Sequence, residues 1–143
     1  MLFHKLDKYR DVGLLILRIG IGIMFIWHGY AKLSGGPEKW IGLGEALSVM
    51  GINFAPEFMG LLASLAEFGG GLLLVLGLLT RPACFFLLCN MVVATTMHVS
   101  NGDPRQIFSH PLELAILFFS LLLIGPGKYS LDEILSKNKD KIL

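Results

Sequence analysis

The sequence predicts an all-α integral membrane protein, a four-helix bundle with a short amphipathic helix in its first outer loop. Three observations carry that expectation. Of 143 residues, 54% are hydrophobic and 16% charged, and mean hydropathy is +0.67, where a soluble domain is roughly 45–50% apolar. The apolar residues gather into four runs, each near the roughly 20 residues needed to cross a bilayer. Backbone polar groups in hydrocarbon must be satisfied within their own segment, so each run has to be helical.

The expected spans are 11–33, 55–79, 82–100 and 109–125, and they leave too few residues for a second unit, so 1–143 is read as one transmembrane domain. The first span is a retained helix rather than a signal peptide. Its apolar core is interrupted by Arg18, exceeds the 7–15 residues typical of a signal, and lacks a small-residue cleavage site. Between spans one and two, Pro37 opens a helix, Trp40, Leu43, Leu47 and Met50 recur at helical spacing, and Gly51 closes it. That pattern suits an amphipathic helix on the outer surface, a lid with Trp40 at headgroup level. Arg81-Pro82 makes a tight turn that forces spans two and three to be antiparallel neighbours. The fourth span is short and starts near Pro111, recruiting Ser109 and His110. Past Gly125-Pro126-Gly127, Ser130 and Glu133 form a capping-box pattern for a last short helix.

Orientation follows from the basic residues. With both termini cytoplasmic, that side holds Lys5, Lys8, Arg10, Arg81, Lys128, Lys137, Lys139 and Lys141, against Lys32, Lys39 and Arg105 outside. These residues are dispersed and the net charge is only +1, so nothing resembles a nucleic-acid-binding stripe.

Ionisable and polar residues within the spans direct attention to function, because a charge near the membrane centre costs roughly 2.5–3.5 kcal/mol on insertion scales. Arg18 and Glu67 lie too deep to reach water easily and are expected to form a structural ion pair, with Asn90 at comparable depth. His28, Lys32, His98, His110 and Glu113 fall at the outer ends of three spans. Of these, His28, Lys32, His98 and Glu113 are the candidate ligand-binding residues. At 100° per residue, Arg18, Gly22, Phe25, Gly29 and Lys32 share a sector of about 80°, with His28 at its edge. Glycines at 20, 22, 29, 60, 69, 70, 71 and 77 permit close helix approach. The blander assignments are a snorkelling Lys32, a capping His110 and interfacial Trp27, Tyr30 and Trp40.

The segment from Leu17 to Leu33, LRIGIGIMFIWHGYAKL, resembles the opening signature of the DoxX family of small four-helix membrane proteins. Glu67 with its following glycines, the Leu78-Leu79-Thr80-Arg81-Pro82 turn, His98 and Glu113 extend the resemblance over nearly the whole chain. The resemblance implies a bundle in the bacterial cytoplasmic (inner) membrane and a link to redox chemistry, through relatives that serve quinone-coupled oxidation or detoxification assemblies.

Two classes of function are therefore expected. One is a redox-linked subunit, the membrane part of a quinone-linked oxidoreductase, in which His28 and His98 donate to quinone carbonyls, Lys32 stabilises an oxyanion and Glu113 relays protons. The other is a non-catalytic scaffold that recruits redox or detoxification proteins, as a single chain or an oligomer. Haem or a metal held by His28, His98, His110 and Glu113 ranks behind quinone, since no compact metal motif is present. Cys84 and Cys89, five apart on one span, point in different directions and are expected to pack. No Cys-x-x-Cys, P-loop, dinucleotide-binding or nucleophile motif occurs, so any electron donor must come from outside the chain.

Overall fold

The computed structural model describes residues 4–139. Lys141, one of the basic residues counted for orientation, lies outside them, as do the side chains of Lys5 and Lys139. A 3-10 segment (His4–Tyr9) leads into α1 (Arg10–Leu33). Then follow α2 (Gly36–Glu45), a 3-10 turn (Ala46–Met50), α3 (Pro56–Leu76), α4 (Thr80–Ser100), α5 (Arg105–Ile124) and α6 (Leu131–Lys139). The helices α1, α3, α4 and α5 are long and apolar enough to cross a membrane.

The bundle runs α1, α3, α4, α5 by side-to-side packing, and α2 lies along α3. The polar and small face of α1 read from the sequence is its buried face: Arg18, Gly22, Phe25 and Gly29 are all buried. In lipid there is little hydrophobic drive between helices, so small residues that allow backbones to touch do much of the work. A Cβ added at Gly29 would stand 2.3 Å from Phe68 N, and one at Gly71 would stand 2.7 Å from Gly22 O. Gly70 and Gly71 are thus packing glycines, with Gly70 against Leu87. The core is completed by Phe25, Leu74, Leu87, Phe118 and Leu121, with Phe25 and Phe118 joining α1 to α5 edge-to-face at 5.0 Å. Ile16, Ile23, Trp27, Phe85, Phe119 and Leu123 point outward, as a lipid-facing belt should.

The start of α1 and the stretch leading into α6 meet at one end of the bundle, the tail end. Lys128 N–H donates to Asp11 Oδ1 at 3.0 Å. Ser130 Oγ accepts from Glu133 N–H at 3.2 Å, which is the capping bond its sequence pattern predicts. The Asp132 carboxylate accepts from Leu79 N–H and Thr80 N–H, so the tail caps α4, whose first N–H groups lack intrahelical partners.

Two boundaries differ from expectation. The turn between α3 and α4 is Gly77–Leu79, with Gly77 at φ +65° and Leu79 at φ +47°. Arg81 and Pro82 already lie in the first turn of α4, where a proline's missing N–H would have no partner anyway. The fourth span starts at Arg105, behind Pro104 in extended conformation, and runs through Pro111, giving a full 20 residues. Proline here costs one early hydrogen bond and does not begin the helix.

Candidate functional site

At the other, cap end of the bundle, a cavity of about 750 Å³ opens between α3 and α4, roofed by α2 and the 3-10 turn that follows it. The helix expected to form a lid is present, and it is seated on protein. Gly44 and Gly60 let it touch the α3 segment directly, since a Cβ at Gly60 would lie 1.7 Å from Trp40 O. Trp40 is accordingly half-buried, its indole Nε1–H donating to Lys32 O at 3.1 Å. Gly51, at φ +79°, closes the lid as its glycine suggests.

The walls are mostly apolar, with Leu43, Leu47, Met59, Leu62, Phe86 and Met97 among them. Four polar side chains break the apolar surface: Lys32, Glu67, Asn90 and His98. Lys32 Nζ meets Glu67 Oε1 at 2.5 Å, with side-chain exposures of 29% and 4%. Asn90 Nδ2 donates to Ala63 O at 2.8 Å, tying α4 to α3. His98 Nδ1 pairs with Asp103 Oδ2 at 2.7 Å, which orients the ring on the cavity rim.

The expected Arg18–Glu67 pair is not formed. In antiparallel α1 and α3, Gly29 lies against Phe68 and Gly22 against Gly71, so Glu67 comes level with Lys32. Arg18 is 14 residues, or about 21 Å of helix, further toward the tail. Arg18 is fully buried there and donates to Leu74 O at 3.1 Å and to Tyr129 O. It serves the carbonyl end of α3, where a helix carries partial negative charge.

Of the four candidate ligand-binding residues, the fold brings Lys32 and His98 into one cavity. His28, at the edge of its helix's buried sector, faces outward, and His110 is also exposed. Glu113 is exposed on a separate groove of about 510 Å³ between α1 and α5, beside Leu17, Ile116 and Ser120. Its distance from the first cavity follows from α5 packing on α4 away from α3. Among the described residues, no three His, Cys, Asp or Glu side chains cluster to hold a metal ion. Cys84 is buried and Cys89 exposed on the cavity wall, both as free thiols. Sequence reasoning missed Asp103 and Asp132, whose roles depend on loops folding back and leave no periodic signal.

A family model described as DoxX matches residues 13–99. The chain belongs to the DoxX family. The match covers α1 through α4 nearly to its end, and so every polar side chain lining the cavity. Among DoxX relatives, the inner membrane protein YqjF of Escherichia coli (strain K12) is 35% identical over 135 residues, 92% of this chain and 98% of its own. The inner membrane protein YphA of the same organism is 31% identical over 131 residues, 86% of this chain and 90% of its own. "Putative oxidoreductase CatD" of Bacillus subtilis (strain 168) is 32% identical over 76 residues, 53% of this chain and 52% of its own. No solved structure matches the chain.

Proposed function

We propose that this DoxX protein is a redox-linked subunit of the bacterial inner membrane whose cavity binds a quinone-class ligand from the outer leaflet. The supporting observation is the Lys32–Glu67 ion pair set in the wall of an otherwise apolar cavity at the cap end of the bundle. A flat, amphiphilic ring matches such a site: apolar walls take the ring and tail, while a few fixed polar groups set its orientation. Lys32 and His98 are the groups able to donate to ring oxygens, with Asn90 holding the wall. The eight-to-three bias of basic residues orients both termini to the cytoplasm and the cavity outward. The oxidoreductase name of the partial relative CatD agrees with this reading.

The test is an oxidised-minus-reduced ultraviolet–visible spectrum of protein purified with its native lipids. A quinone/quinol difference that is lost in His98→Ala but kept in His28→Ala is expected. A flat spectrum, together with no binding of an added short-chain quinone, would overturn the reading.

One observation favours a second role, as a scaffold for redox or detoxification proteins. Glu113 is an exposed carboxylate on the α1–α5 groove, where a partner helix with a donor group would satisfy it. Co-purification of a stoichiometric membrane protein that is lost in Glu113→Leu would support it.

A further inference from the structure

On α5, Gln106, His110, Glu113, Leu117 and Ser120 follow one another at steps of four, three, four and three residues, which sets them within about 80° of one another on one face. All but Leu117 are exposed. The other exposed positions from Ile107 to Ile124 are apolar, Leu112, Ile116, Phe119 and Leu123 among them, so the polar groups of this span are gathered in one stripe beside the α1–α5 groove. Glu113 stands eight residues, or about 12 Å, in from Arg105 on a helix about 30 Å long, and so near the middle of the hydrocarbon. Neither Glu113 nor His110 has a hydrogen-bond or ion-pair partner among the described residues. Arg10, the cation lining the groove, lies beside Asp11 at the tail end, about 16 Å of helix away. A carboxylate at that depth normally faces protein, not lipid.

We propose that this stripe is a homodimer seam, covered by α5 of a second copy of the chain. Two copies inserted with the same topology are related by a two-fold axis along the membrane normal, so their α5 helices run parallel. Across such an axis a stripe residue meets its own counterpart or the residue one step along. His110 and Glu113 differ in height by only about 4.5 Å, so the ring N–H of His110 donates to the partner's Glu113 and the partner's His110 donates back. The Gln106 amide, donor and acceptor at once, pairs with the partner's Gln106, and Leu117 packs on the partner's Leu117. A second copy is the occupant because donor and acceptor stand on one surface at the spacing that lets the surface answer itself; a foreign helix would have to reproduce the same order. The seam is independent of what the cavity between α3 and α4 binds.

In the experiment, full chains carrying a donor or an acceptor dye on an added C-terminal tag are mixed in liposomes of phosphatidylethanolamine and phosphatidylglycerol, and energy transfer is followed as lipid is added. A dimer that dissociates on dilution in lipid is expected, with Glu113→Leu and His110→Leu each weakening it about tenfold. Exchanging the two, His110→Glu with Glu113→His, is expected to restore it. With the polar stripe intact, copper-phenanthroline oxidation should join Leu117→Cys chains but not Ile116→Cys chains, whose thiol is turned about 100° toward lipid; the parent chain gives the baseline for Cys84 and Cys89. Energy transfer absent at every dilution overturns the proposal, as does a dimer that neither leucine variant weakens. A monomer that instead holds a foreign membrane protein through Glu113 overturns it in favour of the scaffold role.

Discussion

Substituting Gly60 with alanine tests the seating of the lid on α3. The new Cβ would stand 1.7 Å from Trp40 O and 2.6 Å from Trp40 C. Both are backbone atoms, so no side-chain rotation relieves the clash. To reach even 3.0 Å the lid must retreat about 1.3 Å. A displacement of that size takes the Trp40 Nε1 to Lys32 O bond, now 3.1 Å, beyond hydrogen-bond range. That bond contributes about 1 kcal/mol, and overpacking against backbone costs about 1–3 kcal/mol, so a loss of about 2–4 kcal/mol is expected. Denaturant unfolding in detergent measures it. Maleimide labelling of Cys89, on the cavity wall, should accelerate as the lid lifts, while buried Cys84 stays slow. Gly69→Ala is the control, because a Cβ there meets nothing within 4 Å; it should be neutral or slightly stabilising through helix propensity. If Gly60→Ala matches Gly69→Ala in stability and Cys89 labels at the native rate, the described contact between lid and α3 is wrong.

Two further predictions concern the buried charges. Lys32→Met strands the Glu67 carboxylate and should destabilise the bundle by about 3 kcal/mol, since removing one partner leaves an uncompensated buried charge. Adding Glu67→Met should recover most of that loss in unfolding titrations, whereas adding Arg18→Met should not. Arg18→Met itself removes two carbonyl contacts and should cost about 3 kcal/mol or more. It should also free α6 to limited proteolysis. Arg18→Lys should rescue only in part, because an ammonium lacks the planar fork that reaches Leu74 O and Tyr129 O together.

The fold was legible where lipid restricts the choices. Four apolar runs can cross a bilayer only as helices, and the buried face of α1 followed from the spacing of Arg18, Gly22, Phe25 and Gly29. Gly51 and the Ser130–Glu133 pattern announced local geometry, because each acts within a few residues of itself. Helix ends were harder to place. Pro82 and Pro111 looked like starting points, yet a proline is tolerated inside a first turn, and at one position further in when neighbouring helices hold the segment.

That Arg18 and Glu67 need partners follows from their depth in apolar runs, because a buried charge must be answered by something. Which partner each finds depends on how the helices pack. The glycine contacts between α1 and α3 set their register, and that register brings Lys32, not Arg18, level with Glu67. The same logic sorts the outer residues. Depth along a helix can be counted from sequence, but rotation toward a neighbour depends on which helices pack together. Lys32 and His98 therefore share a cavity, while His28, His110 and Glu113, at heights the sequence made comparable, face elsewhere.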